Sequence, residues 1–233
     1  MHYAIIAAGE GSRLAQEGVA LPKPLVELNG EPLIDRLIRI FEQNNAQSIS
    51  LILNSNIPLL LEHVSKIESK VELNIINKST PSSMHSFYEL SPYLKDKFCL
   101  TTIDTIFNEE EFSCFISEFE SDNSHDGAMV VTDYIDDEKP LYVGTDDTLK
   151  ITGFYDTPQP KVKYISGGIY ALTQPAIEVL NQCMTEGVSR MRNYQRALVG
   201  RGMNLKAVPF RKVIDIDHAS DIDKAIQFLN QPQ

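Results

Sequence analysis

The sequence predicts an α/β domain in which helices cover both faces of a doubly wound, mostly parallel sheet. Short apolar runs alternate with segments of helical period through the first half of the chain. Strands that alternate with helices form right-handed βαβ units, and these units build parallel sheets. The chain has 233 residues, of which 42% are hydrophobic and 23% charged, as in a globular domain with a sizeable core. These observations exclude a disordered chain.

The elements of the first half follow from the spacing of apolar residues. Continuous apolar runs predict buried strands, and apolar residues three or four positions apart predict helices. The predicted strands are 4–8, 49–53, 71–76, 98–103 and 128–131. The predicted helices are centred on Leu33, Leu37, Ile40 and Phe41, on 58–67 with a proline in the first turn, and on Phe112, Phe115, Ile116 and Phe119.

The second half is less regular, and its later strands are expected to form an appended lobe. In chain order, the predicted elements are strands at 149–155 and 164–172, two helices within 174–202, an extended segment at 205–210 and a short strand at 213–216. The last helix is expected to take Ser220 as its N-cap, with Asp223 three residues later. We find no repeat, low-complexity tract or linker, so the sequence predicts one domain over 1–233.

The balance of charge argues against several classes of function. The chain has 32 acidic and 21 basic side chains, which gives a net charge of −11. Nucleic-acid binders normally carry a basic face, so we expect no nucleic-acid partner. The longest apolar stretches, such as 57–61, are far shorter than the ~20 residues of a membrane helix, and the N-terminus lacks a signal-peptide pattern. Three scattered cysteines, Cys99, Cys114 and Cys183, fit reduced thiols. We therefore expect a cytoplasmic protein without a membrane partner, and the sequence leaves open whether it is a homo-oligomer.

The loop after the first strand carries the strongest functional motif. The run AAGEGSRL at 7–14 places Gly9 and Gly11 directly after a predicted strand. Because glycine has no Cβ, such a loop lets backbone N–H groups approach an anion closely. The run does not match the dinucleotide fingerprint, since Leu14 stands where the third glycine belongs, and it lacks the Gly-Lys-Ser/Thr of a P-loop. The motif therefore predicts phosphate binding of another type.

A lysine between two prolines strengthens this interpretation. Pro22 and Pro24 hold the backbone around Lys23 extended and restrict its freedom. The charge of Lys23 is thereby directed back toward the glycine-rich loop, where Arg13 adds a second cation. Two cations beside such a loop, in an otherwise acidic protein, indicate a site for a triphosphate.

Together with Asn29-Gly30-x-Pro32-Leu33-Ile34, these motifs resemble the signature of nucleoside-diphosphate-sugar pyrophosphorylases, the sugar-1-phosphate nucleotidyltransferases. The resemblance includes small single-domain members of the choline-phosphate cytidylyltransferase type. It implies a GT-A-like nucleotidyltransferase fold, in which a Rossmann-like sheet carries a small acceptor-binding β lobe. Residues 1–134 would form the nucleotide-binding half and 135–233 the acceptor-binding half with the second metal carboxylate. The resemblance further implies that Arg13 and Lys23 are catalytic, and that the nucleotide contacts Ala8, Gly9, Gly11, Ser12, Arg13, Lys23 and Ser83.

Two acidic segments are candidates for a metal site. Nucleotidyl transfer places negative charge on both nucleophile and leaving group, so it needs a divalent cation, and Mg²⁺ prefers carboxylate oxygens. Asp104 follows a predicted strand, at the edge where open α/β sheets bind ligands, although Ile103 replaces the glycine of the family. Near the C-terminus, a period of two places Asp215 and Asp217 on one face of a short strand. The resemblance implies that Asp104 and one of these two acids hold Mg²⁺. Asp215 matches the sugar enzymes better, but the sequence leaves the choice open.

The acceptor half departs from the family pattern. Sugar enzymes show Phe-x-Glu-Lys-Pro, with the acid on sugar hydroxyls and the lysine on the sugar phosphate, whereas this chain has FYDTP at 154–158. Asp156 retains a hydrogen-bond acceptor, but Thr157 carries no charge. The run 164–170 resembles the family's Asn-Ala-Gly-Ile-Tyr strand, whose glycine, here Gly168, lets the acceptor approach the backbone. The cations that could replace the missing lysine are Lys161, Lys163, Arg190 and Arg192, and Lys163 is the predicted acceptor ligand together with Asp156 and Gly168.

The pattern as a whole implies transfer of a nucleoside monophosphate from an NTP to a sugar 1-phosphate, with Mg²⁺ as cofactor and an NDP-sugar and pyrophosphate as products. No general base is required, because the attacking phosphate oxygen is already anionic and catalysis rests on positioning and charge neutralisation. Two alternatives stay open. Thr157 and the Ser/His-rich segment 77–88 favour a cytidylyltransferase for phosphocholine or another phosphorylated alcohol. The weakened acceptor motif is also compatible with a catalytically inactive, nucleotide-binding regulatory module.

Overall fold

A nine-stranded sheet forms the centre of the molecule. The structure, a computed structural model, describes residues 1–231. In chain order, its strands are β1 (His2–Ala7), β2 (Glu27–Leu28), β3 (Glu31–Pro32), β4 (Ser48–Leu53), β5 (Glu72–Asn77), β6 (Lys97–Thr102), β7 (Thr105–Ile106), β8 (Gly127–Thr132), β9 (Tyr142–Thr145), β10 (Ile151–Tyr155), β11 (Tyr164–Thr173), β12 (Leu205–Pro209) and β13 (Ile214–Asp215). The large sheet has the order β10-β9-β11-β6-β1-β4-β5, and β8 joins β12 to β11. The four shortest strands form two separate ribbons, β2 with β3 and β7 with β13.

The direction of the strands confirms a mostly parallel sheet. Strand β1 lies between β4 and β6 and pairs in parallel with both, and β5 continues the parallel run beside β4. Strand β11 runs antiparallel to β6, β8 and β9, and β10 runs antiparallel to β9. Since β12 is parallel to β8, seven of the nine strands described in the large sheet point the same way. The carboxyl ends of the parallel strands therefore meet at one edge.

Helices cover both faces of the sheet. In chain order they are α1 (Ser12–Gln16), α2 (Leu33–Gln43), α3 (Pro58–Val64), α4 (Ser83–Leu90), α5 (Glu109–Ser121), α6 (Pro175–Thr185), α7 (Met191–Gly200) and α8 (Ala219–Leu229). Helix α4 was absent from the predicted elements, although its buried Met84, Phe87 and Leu90 stand three positions apart. Within the described residues, no helix combines the length and apolar character needed to cross a bilayer.

The core consists of two apolar layers, one on each side of the sheet. Alternate residues of β1 enter different layers, with Tyr3 and Ile5 in one and Ala4 and Ile6 in the other, as the period of a strand requires. In the first layer, Tyr3 stacks on Phe41 of α2, with ring centroids 4.4 Å apart. This arrangement is that of a doubly wound sheet, and it anchors the loop after β1 between two packed layers.

The start of α8 differs from the sequence prediction. His218, and not Ser220, is the N-cap, and Asp221 takes the place predicted for Asp223. The carboxylate of Asp221 accepts a hydrogen bond of 2.8 Å from the His218 backbone N–H, which completes a capping box. The chain before this cap stays at the sheet edge as far as Ile216, whose N–H donates to the Asp104 carbonyl at 3.1 Å.

Candidate active site

Three chain segments meet at the carboxyl edge of the parallel strands. The glycine-rich loop follows β1, and Asp104 follows the neighbouring β6. Strand β13 brings a third segment to this edge, because its Asp215 pairs with Thr105 of β7, next to Asp104. The carboxyl ends of parallel strands are where open α/β sheets bind ligands. The pairing of β1 with β6 and of β7 with β13 thus brings residues from distant parts of the sequence to one edge of the sheet.

Gly11 is required both for the shape of the loop and for its contact with Lys23. Its φ of 62° lies in the left-handed region, which favours glycine. A Cβ at this position would also stand 3.2 Å from the Cβ of Lys23. The one-turn 3₁₀ helix Lys23–Leu25, which follows Pro22, holds Lys23 against the loop. The two sequence motifs are therefore packed directly against each other.

Lys23 and Arg13 form a chain of ion pairs with two acidic residues. The Lys23 Nζ donates to Asp104 Oδ2 at 2.7 Å and to Asp217 Oδ1 at 3.0 Å. The Arg13 Nη1 donates to the other oxygen of Asp217 at 2.9 Å. Burial opposes the charged form of Lys23, whose side chain is 11% exposed, but the two carboxylates outweigh it and raise the lysine pKa. Both predicted phosphate-binding cations are thus held beside the predicted metal ligands.

The carboxylates of Asp104 and Asp215 differ in their surroundings. Desolvation opposes ionisation of Asp104, but Lys23 and the hydroxyl of Thr102 outweigh it and lower the Asp104 pKa. Desolvation in the cleft and then the charge of Asp104 raise the pKa of Asp215 to about 8, with Asp137 and Asp217 adding to the effect. Within the described residues, Asp215 has no ion pair of its own. The carboxylates that surround Asp215 oppose its ionisation, and a bound cation would relieve this repulsion.

Two carboxylates suit Mg²⁺, which can take its other ligands from a substrate, better than they suit a metal ion that the protein alone must coordinate. In residues 1–231, no group of three or more His, Cys, Asp or Glu side chains is arranged to hold a metal ion. Asp104 and Asp215 lie side by side in one cleft, and Mg²⁺ is commonly bound by one or two carboxylates together with substrate phosphates. The two acids therefore suffice for Mg²⁺ if the nucleotide supplies further oxygens.

A contact between α8 and α1 fixes the position of Asp217. The His218 Nδ1 lies 2.6 Å from Glu17 Oε1, and the backbone N–H of Ala219 donates to Glu17 Oε2 at 2.6 Å. The hydrogen bond and charge of Glu17 raise the pKa of His218. This contact holds the start of α8 against the end of α1, so that Asp217 faces Arg13.

Beyond the carboxylates, the cleft contains a group of cations. Its volume is about 300 Å³, and it is lined by Asp104 and Asp215 together with Lys139, Arg190 and Arg192. These cations come from the loop before β9 and from the start of α7. Arg190 adopts φ 72° and ψ 138°, a backbone conformation that is strained for a residue with a side chain. Such strain clusters at functional sites.

Two of the predicted nucleotide and acceptor residues also line this cleft. Ser83 stands at the first turn of α4, and Gly168 lies in β11. Gly168 has a φ of 71°, and a Cβ there would stand 2.7 Å from the Thr105 hydroxyl. Glycine is therefore required at this position for β11 to pack against β7.

The remaining predicted acceptor residues lie differently. Both oxygens of Asp156 are bound by arginines, Oδ1 by Arg192 at 2.6 Å and Oδ2 by Arg196 at 2.7 Å. Lys163 is exposed, and its Nζ lies over the ring of Tyr164, 4.6 Å from the centroid. Of the four cations considered for the missing lysine, the structure brings Arg190 and Arg192 to the cleft, whereas Lys161 and Lys163 are exposed outside its lining.

Several residues of the cleft were missed in the sequence analysis. Lys139 and Asp137 lie in the loop before β9, and Thr105 follows Asp104. The loop sequence YIDDEKP at 134–140 has no period or motif that separates a cleft residue from a solvated charge. Thr105 is buried and does not line the cleft, but its hydroxyl donates to Asp215 at 3.4 Å, and its position one residue after Asp104 was the available signal.

Comparisons with known proteins cover nearly the whole chain. A family model described as Nucleotidyl transferase matches residues 3–231. The UTP–glucose-1-phosphate uridylyltransferase AglF of Haloferax volcanii is 22% identical over 241 residues, which are 99% of this chain and 97% of AglF. The bifunctional protein GlmU of Thermodesulfovibrio yellowstonii is 22% identical over 244 residues, which are 98% of this chain but 52% of GlmU, so the chain spans about half of that relative. The solved structure of the inositol-1-phosphate CTP transferase from T. maritima has a TM-score of 0.81 at 18% identity, over 99% of this chain and 96% of that one. At this identity the similarity concerns the fold.

Proposed function

The chain belongs to the nucleotidyl transferase family, and from this premise we propose that it transfers a nucleoside monophosphate from an NTP to a sugar 1-phosphate. The observation that carries the proposal is the meeting of the glycine-rich loop, Lys23, Asp104 and Asp215 at one sheet edge. An NDP-sugar and pyrophosphate would be the products. Family membership supports the reaction type, and the cleft supports the roles of individual residues.

On the nucleotide side, the backbone of the loop and two cations would hold the triphosphate. Ala8, Gly9, Gly11 and Ser12 line the approach, where glycine allows N–H groups to come close to phosphate oxygens. Lys23 and Arg13 would then neutralise the β- and γ-phosphates and the leaving pyrophosphate. Their ion pairs with Asp104 and Asp217 place them beside the metal carboxylates before any ligand binds. Ser83, at the first turn of α4, is the proposed contact on the nucleoside side.

On the acceptor side, the phosphate would act as nucleophile without a general base. One of its oxygens forms a bond to the α-phosphorus of the NTP, and the bond from this phosphorus to the bridging oxygen breaks as pyrophosphate leaves. The oxygen is already anionic at neutral pH, so the protein needs only to orient it and to reduce repulsion. Arg190, which lines the cleft, would supply the positive charge that Thr157 lacks, and Gly168 would let the acceptor approach. Asp156, which is held by two arginines, and the exposed Lys163 are outside the cleft lining and would act on the acceptor only indirectly.

Asp104 and Asp215 would hold the metal. Both oxygens of Asp217 are bound by Arg13 and Lys23, whereas Asp215 has a raised pKa and forms no ion pair within the described residues. We therefore favour Asp215 over Asp217 as the second ligand. When bound, Mg²⁺ would offset the negative charge that builds up around the α-phosphate. The role left to Asp217 is to hold Arg13 and Lys23 in place.

A second candidate is the same transfer to a phosphorylated alcohol. The T. maritima protein of the same fold is described as an inositol-1-phosphate CTP transferase, and its acceptor is a phosphorylated polyol. The absence of a lysine at Thr157 and the Ser/His-rich segment 77–88 also favour this class, which includes phosphocholine. A regulatory module without turnover is disfavoured, because both metal carboxylates are present in the cleft.

The cysteines support a cytoplasmic location for this enzyme. Cys99 and Cys183 are buried, Cys114 is exposed, and all three are free thiols. Free thiols without disulfides are typical of reducing compartments. The proposed partners are an NTP and a phosphorylated small molecule.

Release of pyrophosphate tests the proposal directly. The purified protein is incubated with Mg²⁺ and ATP, CTP, GTP, UTP or dTTP in turn, each with and without a pool of sugar 1-phosphates, inositol 1-phosphate and phosphocholine. We expect release that depends on both an acceptor and one preferred nucleotide. Tight nucleotide binding without release from any pair would overturn the enzymatic proposal and favour the regulatory module. Resolving the pool into single acceptors then separates the sugar and alcohol classes.

A further inference from the structure

Arg192 is fixed at the cleft from two sides. Its Nη1 donates to Asp156 Oδ1 at 2.6 Å, and its Nη2 donates to the backbone carbonyl of Lys139 at 3.2 Å. These contacts join the end of β10 and the loop before β9 to the first turn of α7. A guanidinium has five N–H donors, and the described contacts use two of them. Arg192 is thus oriented while most of its donors are still available.

Asp156 holds Arg192 and is itself held by a second arginine. Arg196 donates through Nη2 to Asp156 Oδ2 at 2.7 Å, and its Nε donates to the Phe154 carbonyl at 3.2 Å. The Arg196 Nη1 donates to Asn193 at 2.9 Å, so Arg196 is anchored on α7 and β10 together. The two arginines lower the pKa of Asp156 and keep it ionised. Its oxygens point at guanidinium groups, so Asp156 serves here to position Arg192.

Three cations line the acceptor side of the cleft, Lys139, Arg190 and Arg192, and the carboxylate of Asp137 lies among them. Within the described residues, neither Lys139 nor Arg190 forms an ion pair. These two would bind the phosphate that reacts, and Arg192 adds a planar fork beside them. A guanidinium fork binds carboxylate or phosphate oxygens in pairs, and it offers no acceptor to a sugar hydroxyl. The side of the cleft that carries Arg192 is therefore suited to binding an anion.

We propose that Arg192 determines acceptor specificity by binding a second anionic group, a carboxylate or a phosphate, that the acceptor carries in addition to its reacting phosphate. The proposal rests on the proposed nucleotidyl transfer and narrows its acceptor class to phosphorylated compounds that carry a second acidic group. Asp156 and the Lys139 carbonyl position the guanidinium. A phosphate of an uncharged sugar, such as glucose 1-phosphate, would lack the second acidic group that Arg192 recognises.

Matched acceptors test this proposal. Glucose 1-phosphate, glucuronic acid 1-phosphate and glucose 1,6-bisphosphate share a ring and differ at C6, which carries a hydroxyl, a carboxylate or a phosphate. Glycerol 3-phosphate and 3-phosphoglycerate form a similar open-chain pair. We expect kcat/KM to favour an anionic member by about tenfold or more in at least one set, the size of a hydrogen bond to a charged group. The carboxylate and phosphate members distinguish the two kinds of second anion.

Variants connect the preference to Arg192. In R192A the preference should disappear through a higher KM for the anionic acceptor, with the KM for the NTP unchanged, and R192K should retain part of it. Arg201 is the matched control, because it pairs with Glu186 at 2.7 Å at the far end of the same helix, and R201A should keep the preference. Equal or better use of the neutral members, or an unchanged preference in R192A, would overturn the role of Arg192.

A binding measurement separates this inference from the proposed function. If no acceptor in either set supports pyrophosphate release, calorimetry with the same compounds on the wild type and R192A decides the question. Tighter binding of the members with a second anionic group to the wild type alone would uphold Arg192 as an anion-binding residue, even though none of these compounds is the acceptor. Equal binding to both proteins would refute it, whatever the reaction of the enzyme.

Discussion

The nucleotide side and the acceptor side of the cleft use cations in opposite ways. On the nucleotide side, Lys23 and Arg13 are paired with Asp104 and Asp217, and Lys23 is largely buried. On the acceptor side, Arg192 is paired with Asp156, but Arg190 and Lys139 have no ion pair within the described residues. A triphosphate that bound Lys23 and Arg13 would exchange places with carboxylates, whereas an acceptor would meet two cations that are already available.

The difference shows how an acidic protein can bind two anionic substrates. Its net charge of −11 opposes their approach, so local cations must be concentrated where they are needed. Internal pairing orders Lys23 beside the proposed metal ligands, and the start of α7 with Lys139 supplies a separate group of cations for the proposed acceptor.

Replacing Lys23 by alanine should lower kcat by about 100-fold or more, the size found when a group that stabilises developing charge is removed. The measurement is pyrophosphate release at saturating substrates. Lys66 is the control, since it is 70% exposed and pairs only with Glu62 one helical turn earlier, and K66A should keep its turnover. Near-normal turnover in K23A would remove Lys23 from the mechanism and with it the contrast between the two sides.

Separate asparagine substitutions at Asp215 and Asp217 distinguish a residue that binds the metal from one that positions Arg13 and Lys23. D215N should raise the Mg²⁺ concentration for half-maximal rate by at least about tenfold, because a ligand that supports several kcal/mol of charge stabilisation is lost. D217N should affect mainly the KM for the NTP, since Arg13 and Lys23 lose a shared partner. Mn²⁺ binding followed by electron paramagnetic resonance gives an independent measure. The reverse pattern would assign the metal to Asp217.

Alanine at Gly11 tests the contact between the glycine-rich loop and Lys23. A side chain there meets both a left-handed φ of 62° and the Lys23 Cβ, so G11A should lower the free energy of unfolding by about 1–2 kcal/mol. It should also raise the KM for the NTP. Gly9 is the matched control, because a Cβ there would meet nothing within 4 Å. Equal stability of G11A and G9A in urea unfolding would contradict the proposed packing.

The smallest effect concerns the contact of His218 with Glu17. Glu17 raises the pKa of His218 above its ordinary value of 6.5, so the stabilisation is complete below that pH and is lost as pH rises through the folded-state pKa. The difference in Tm between the wild type and E17Q should therefore be larger at about pH 6 than at about pH 9. E62Q is the control, since Glu62 pairs with Lys66 and not with a histidine. A Tm difference that does not change with pH would contradict this assignment.

Much of the nucleotide side was predictable because its residues are close in the sequence. Gly11, Lys23 and the turn between them lie within a short segment whose glycine and prolines dictate backbone shape locally. Most strands were predicted correctly for the same reason, since a buried strand is a continuous apolar run, as in β4 and β6. The cap of α8 was misplaced because His218 is an unusual N-cap.

The fold class, the family and a candidate nucleotide-binding loop were predictable from the amino-acid sequence alone, because each depends on local patterns of apolar residues, glycine, proline and lysine. Asp215 and Asp217 alternate along the sequence, and only the tertiary structure gives them different partners: two cations reach Asp217 from 204 and 194 residues away, whereas no cation pairs with Asp215 within the described residues. The tertiary structure also brought Arg190 and Arg192 to the cleft, and Asp156 to its place between two arginines. Charged side chains carry no local signal of their partners, because an ion pair depends on distance in space and not on spacing along the chain.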